Sequence, residues 1–250
     1  MKFSRRSVLG AAGAMVSVSL LNGMISFTAM ADALNPTFSP KRIGVIGAGW
    51  LGGTVGSVWV KAGHEVMFSS RHPEELKSMT SKLGERASVG TIREAAEFGD
   101  VLLFAVPYAA LPQLGRELAE LIRGKVVLDA CNSSASSSDA LTQEAHAKGD
   151  AVTTAKYLSG ANVIRAFSAV DATAVEASAA RTSNKLGVPI AGDDPKAVQV
   201  AVQLVTDAGC IPVVVGKLAD ATRFQRGGPG FRANTNAPEL RRLLNLPAQS

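Results

Sequence analysis

The sequence predicts a doubly wound α/β fold with a mainly parallel sheet and extra C-terminal strands and helices. Three observations predict it. From Lys41 onward, short β-rich runs alternate with longer helical ones. The run Val101–Val106 is continuously apolar, as expected of a strand buried on both faces. The first apolar run, Ile43–Ile46, ends in glycines and leads straight into a helical pattern.

The elements follow in order. Leu51–Ala62 reads as a helix stopped by Gly63, and Glu65–Ser69 as the second strand. Glu74–Leu83 is polar and helical, with Pro73 at a first-turn position that its missing N–H suits. Ala87–Val89 is a short strand. Thr91–Phe98 is a helix with Thr91 and Glu94 in capping-box spacing. Leu111–Ile122 is an amphipathic helix and Lys125–Ala130 a strand. After the Ser-rich loop Ser133–Ser138 the chain is loosely helical. Asn162–Phe167 and Lys185–Ala191 are strand-like. Pro195–Ala208 is a helix capped by Asp193 or Asp194, Ile211–Val215 a last strand and Pro238–Leu246 a terminal helix.

The main chemical signal is the turn Gly47-Ala48-Gly49-Trp50-Leu51-Gly52. A G-x-G-x-x-G pattern alone is weak, but between a strand and a helix it reads as a Rossmann-like dinucleotide turn. Gly47 permits the tight turn, Gly49 lets the backbone approach a pyrophosphate, and Gly52 lets helix and sheet pack closely. The helix N-terminus offers unpaired N–H groups to the phosphates. A coenzyme with a free ribose 2′-hydroxyl usually meets an Asp or Glu about 20 residues on. Here the second strand ends in Ser69-Ser70-Arg71, with no carboxylate. An Arg flanked by hydroxyls suits a 2′-phosphate, so the expected coenzyme is NADP rather than NAD.

Further motifs resemble one family, the deazaflavin (coenzyme F420)-dependent NADP reductases. They are Lys41–Arg71, Phe104-Ala105-Val106-Pro107-Tyr108, Val127–Asn132, Val163–Phe167, Pro189–Asp194 and Arg223-Phe224-Gln225. The likeness covers about residues 41–246. It implies an NADP-dependent oxidoreductase that exchanges hydride with a small-molecule or cofactor-like acceptor: a deazaflavin, a flavin or a ferric chelate. It implies that Ala105, Val106, Pro107, Asn132 and Ala169 lie near the nicotinamide, at the carboxyl ends of strands where open sheets bind ligands. The chain departs from the family at Asn132-Ser133, at Phe167-Ser168-Ala169 and at Glu75. The first two departures fall at strand ends, where the second substrate is expected.

No general acid or base is expected at those ends, and no catalytic residue or metal site is singled out. His64, His72 and His146 read as surface residues. A site without acid–base groups suits hydride exchange with another cofactor better than ketone reduction, which needs a proton donor. The alternative is a protein that holds NADP(H) without turnover. Arg223–Phe231 reads equally as a lid or as a plain connecting loop. Cys131 and Cys210 are expected at opposite edges of a parallel sheet, beyond disulfide reach.

The N-terminal 31 residues read as an export signal. Ser4-Arg5-Arg6-Ser7-Val8-Leu9 resembles the twin-arginine motif, an apolar stretch follows, and Ala29-Met30-Ala31 suits a signal peptidase. The export machinery is thus an expected partner and the periplasm the expected compartment, with an uncleaved membrane anchor as alternative. Residues 32–40 form a linker and 41–250 a single NADP-binding domain. Of the net charge of +5, three positives lie in the leader; the rest sets 23 basic against 21 acidic residues. That balance gives no case for a nucleic-acid partner. The late strand and terminal helix offer a homodimer contact.

Overall fold

The computed structural model describes residues 39–247. Eight strands form one sheet in the order β3-β2-β1-β4-β5-β6-β7-β8. They are β1 (Arg42–Ile46), β2 (Glu65–Ser69), β3 (Ala87–Gly90), β4 (Val101–Phe104), β5 (Val126–Asp129), β6 (Asn162–Arg165), β7 (Gly187–Gly192) and β8 (Ile211–Gly216). The first six run parallel in the order of a Rossmann sheet. β7 lies antiparallel to β6, and β8 runs parallel to β7. The order reverses between β1 and β4, and that switch point is where such sheets bind ligands.

Side chains alternate across the sheet and build two apolar layers. Val45, Leu103, Leu128 and Ile164 face one layer; Leu102, Phe104, Val127 and Val163 face the other. The first layer is covered by α1 (Trp50–Lys61), which buries Val55, Val58 and Trp59. The Trp59 ring meets Phe167 edge-on at 5.7 Å, a pairing that adds about 0.5–1.5 kcal/mol beyond area burial.

The remaining helices follow local signals. α2 (Lys77–Leu83) continues a 3-10 turn over Pro73–Leu76, so the expected Glu74–Leu83 helix begins as the tighter form. α3 (Ile92–Phe98) starts with the Thr91–Glu94 capping box fully formed. The expected Leu111–Ile122 helix divides into α4 (Leu111–Glu117) and α5 (Ala119–Ile122), because Leu118 leaves helical geometry. α6 (Ala140–Lys148) is capped by Asp139 and leads through Gly149 into α7 (Asp150–Tyr157). α8 (Ala172–Ala179) and a 3-10 turn over Leu218–Arg223 were not anticipated. α9 (Pro195–Asp207) is capped by Asp194, and α10 (Ala237–Leu243) by Asn236. No helix among the described residues is long and apolar enough to cross a membrane. The leader lies outside the described residues.

Both cysteines are free and buried, but the reason for their separation differs from the expected one. Because β7 and β8 reverse direction, Cys210, just before β8, reaches the same sheet edge as Cys131, just after β5. Three strand spacings, about 14 Å, keep them apart instead. Burial pushes both thiols up, which leaves them unreactive.

Candidate functional site

The strands end short of the residues that form the site. Ala105–Pro107, Ala130–Asn132 and Ala166–Ala169 continue past the last ladder residues Phe104, Asp129 and Arg165. At the switch point the Gly47 and Ala48 N–H groups donate to the Ser69 carbonyl, at 3.2 and 2.7 Å. The glycine turn is thereby pinned to the end of β2.

Each glycine of the turn has a distinct role. Gly47 has φ +97°, and a Cβ there would lie 2.6 Å from the Ala105 carbonyl. A Cβ on Gly52 would lie 2.2 Å from the Gly47 carbonyl, so helix and turn touch through it. Gly49 is different. It is exposed, its φ of −71° is open to any residue, and a Cβ there would meet nothing within 4 Å. Neither packing nor backbone geometry requires glycine at 49. The open space lies at the start of α1, which has no side-chain cap and no acidic residue in its first turn. That is the environment a diphosphate needs.

Gly47, Ala48 and Gly49 line a cleft of about 670 Å³, together with Ser70, Arg71, Ala105, Val106 and Pro107. The volume falls in the range of small-molecule sites. Arg71 is exposed, and no hydrogen bond or ion pair holds its side chain among the described residues. The Ser70 hydroxyl accepts the His72 N–H at 2.9 Å and so shapes the turn that presents Arg71. Among the lining residues that escaped the sequence reading are Leu76, Ile92, Gln113 and Glu117. The first two wall the cleft with apolar side chains; the last two lie on α4, whose amphipathic pattern was the available signal.

Other predicted site residues stand elsewhere. Ser69 is fully buried, and its hydroxyl donates to the Val45 carbonyl at 2.7 Å. Trp50 is 75% exposed and opens onto a neighbouring groove between α1 and α2. Leu51 packs on the core beside Gly52. Asn132 and Ala169 are not among the residues lining the cleft. Asn132 is held from two sides: it donates to the Ser168 carbonyl at 2.8 Å and accepts from Arg165 Nη2 at 2.8 Å. Ala169 is buried, and its carbonyl accepts the Arg232 N–H. Phe167 between them adopts φ +62°, a strained left-handed geometry for an aromatic residue, at the end of β6.

Beneath Asn132 lies a buried charge cluster that the sequence reading missed. Arg165 donates to Asp129 at 2.5 Å and to Asp150 at 3.3 Å, and the Cys131 carbonyl also accepts from it. Burial alone would lower the Arg165 pKa, but the two carboxylates raise it above its ordinary value. Asp150 also borders a second cavity of about 380 Å³, with Ser133, His146 and Gln225.

The histidines divide. His72 and His146 are exposed, as expected. His64 is not a surface residue: it is fully buried, accepts the Lys41 N–H at Nδ1 and meets Asp207 through Nε2 at 3.0 Å. Its isolation from water holds its pKa below the usual value. His72, Glu74 and Glu75 gather ligand atoms within 4.8 Å at the cleft's rim, all exposed. The segment Arg223–Phe231 is a packed loop: Phe224 is fully buried and Gly230 donates to the Arg223 carbonyl.

Residues 42–133 match the family model described as NADP oxidoreductase coenzyme F420-dependent. The match begins with β1 and ends just past Asn132, so it contains the whole cleft. The chain is 27% identical over 193 residues to the metalloreductase STEAP3 of Rattus norvegicus, across 76% of this chain and 36% of that protein. It therefore spans little more than a third of that relative's length. Two solved structures share the fold. One is the hypothetical protein SMa0349 from Sinorhizobium meliloti (TM-score 0.67, 23% identity, 78% of this chain and 94% of that one). The other is assigned as an F420-dependent NADP reductase from Arthrobacter sp. FB24 (TM-score 0.59, 18% identity, 73% and 87%).

Proposed function

We propose that the chain is an NADP(H)-dependent oxidoreductase that exchanges hydride with a cofactor-like acceptor in an open cleft. The observation that carries this is Gly49. Its lack of a side chain serves nothing inside the protein and leaves room at the uncapped start of α1. The match of residues 42–133 to an NADP oxidoreductase family supports the reading, as does the likeness to reductases.

The residues divide the work. Because the Gly47 and Ala48 amides are taken by the Ser69 carbonyl, the amides at the α1 N-terminus would hold the diphosphate. Arg71, at the rim and without a partner among the described residues, would hold the 2′-phosphate through charge-assisted hydrogen bonds, with the Ser70 turn presenting it. Leu76 and Ile92 would flank the adenine. Val106 and Pro107 would form an apolar floor that excludes water at the nicotinamide end. Bound NADPH supplies the hydride; the protein supplies position. Arg165, through Asn132, fixes the strand-end backbone beside that floor.

We further propose export by the twin-arginine route, supported by Ser4-Arg5-Arg6-Ser7-Val8-Leu9 and the apolar run behind it. That route carries proteins already folded, so the coenzyme would travel in its cleft. Stopped-flow oxidation of bound NADPH by a deazaflavin, a flavin and a ferric chelate tests the activity. Turnover with at least one acceptor is the expected result. Tight coenzyme binding with no oxidation by any of the three would favour a non-catalytic NADP(H)-binding protein.

A further inference from the structure

The cavity of about 380 Å³ that Asp150 borders shares no lining residue with the coenzyme cleft. Its floor is buried: the Asp150 side chain is 3% exposed and Ser133 2%. Asp150 Oδ2 accepts from Arg165 Nη2 and from the Ser133 N–H, both at 3.3 Å. Among the described residues nothing donates to Asp150 Oδ1, and nothing meets the Ser133 hydroxyl. Neither oxygen is sealed off. Among the described residues, the buried side-chain atoms that reach neither a partner nor solvent belong to Thr153, Thr154, Arg165 and Ser168. Asp150 and Ser133 both line the cavity, so that is the space their open oxygens reach. The charge beneath them is negative, because Arg165 stands against two carboxylates, Asp129 and Asp150. An open carboxylate oxygen in that setting favours a cationic donor.

The outer wall has the opposite character. Gln225 Oε1 accepts the Asp150 N–H at 3.0 Å, and a backbone N–H can only donate, so this contact fixes which end of the amide is oxygen. Gln225 Nε2 is left as a donor without a partner among the described residues. Arg226, next in the chain, also lines the cavity and is exposed. Its guanidinium lies over the Phe231 ring at 5.0 Å, a contact that positions it without using its N–H groups. No acceptor among the described residues takes those N–H groups. The cavity thus pairs a buried acceptor floor with an exposed cationic donor. A simple cation would meet Arg226, and a simple anion would meet Asp150. A small molecule that carries both charges satisfies both.

We infer that this cavity is a binding site for a small zwitterion of the amino-acid type. Its ammonium donates to Asp150 Oδ1 and the Ser133 hydroxyl, and its carboxylate accepts from Arg226 and Gln225 Nε2. The site is distinct from the coenzyme cleft and does not depend on the oxidoreductase reading.

Glycine, β-alanine and 4-aminobutyrate, which set the two charges at increasing separation, are the probes. Butylammonium and butyrate, with one charge each, are the comparators. Each is titrated calorimetrically into the full chain. At least one zwitterion is expected to bind with a Kd below about 1 mM and about tenfold more tightly than either comparator, the effect of one hydrogen bond to a charged group. Saturating NADP⁺ should leave that affinity unchanged. Arg226→Met, a change on an exposed side chain that keeps an apolar stem over Phe231, should weaken the zwitterion about tenfold. Asp150→Asn should do the same in a folded protein; if that variant fails to fold, Arg226→Met decides alone. No zwitterion preferred over both comparators, wild-type affinity in Arg226→Met or in folded Asp150→Asn, or displacement of the zwitterion by NADP⁺ would each overturn the inference.

Discussion

Arg165 and Asp129, adjacent residues at the ends of β6 and β5, form an ion pair in which neither side chain is exposed to water. Asp150 approaches the same guanidinium from α7. Arg165→Met would leave two buried carboxylates without their counter-charge. Breaking a buried pair from one side costs about 3–5 kcal/mol, far more than the pair's net worth. Urea denaturation should show a loss of that size. Asp129→Asn should cost less, because Arg165 keeps Asp150. A loss below about 1 kcal/mol in Arg165→Met would mean that water reaches the cluster.

His64 gives the fold a pH dependence. The Lys41 N–H donates to Nδ1, so the proton sits on Nε2 facing Asp207 and the ring is neutral. Burial, the largest influence, depresses its pKa in the folded state, while the Asp207 contact partly opposes this. A depressed pKa means that the unfolded chain binds the proton first. Stability from this group is therefore complete above about pH 6.5 and declines as pH falls below it. Chemical denaturation from pH 7.5 to 5.5 should show that decline. His64→Gln should be less stable at pH 7.5 and nearly flat across the window. An equal slope in both proteins would assign the pH dependence to other groups.

Arg71 should decide the coenzyme. Its guanidinium meets no partner among the described residues, so its removal changes little in stability. Arg71→Gln should weaken NADPH by roughly 1.5–3 kcal/mol, the worth of hydrogen bonds to a charged group, and leave NADH almost unchanged. Calorimetric titration of both coenzymes checks this. Glu75 borders the same cleft, and its carboxylate opposes a 2′-phosphate. Glu75→Gln should therefore tighten NADPH and not NADH.

What the sequence disclosed follows from locality. Strand–helix alternation, the glycine turn, the capping box at Thr91 and the Ser70-Arg71 pair are all short-range patterns, and each was legible. The direction of β7 was not: six small and apolar residues carry no sign of which way the strand runs. That reversal changed the reason why Cys131 and Cys210 stay apart. His64 read as a surface residue because its partner Asp207 lies 143 residues away. Asp150 and Gln225 are 75 residues apart and meet only where α7 approaches the loop after the 3-10 turn. The left-handed Phe167 was likewise invisible, since nothing in Phe-Ser-Ala marks a positive φ.

Two alanine variants test the central claim. In Gly52→Ala the new methyl would stand 2.2 Å from the Gly47 carbonyl, so the variant should lose about 1–3 kcal/mol or more of stability. In Gly49→Ala the methyl meets nothing, so melting should stay within about 0.5 kcal/mol of wild type. The decisive measurement is calorimetric titration of NADPH into Gly49→Ala. The methyl would occupy the room reserved for the diphosphate, and affinity should fall at least about tenfold, or 1.4 kcal/mol. Wild-type NADPH affinity in a fully folded Gly49→Ala protein would contradict the account.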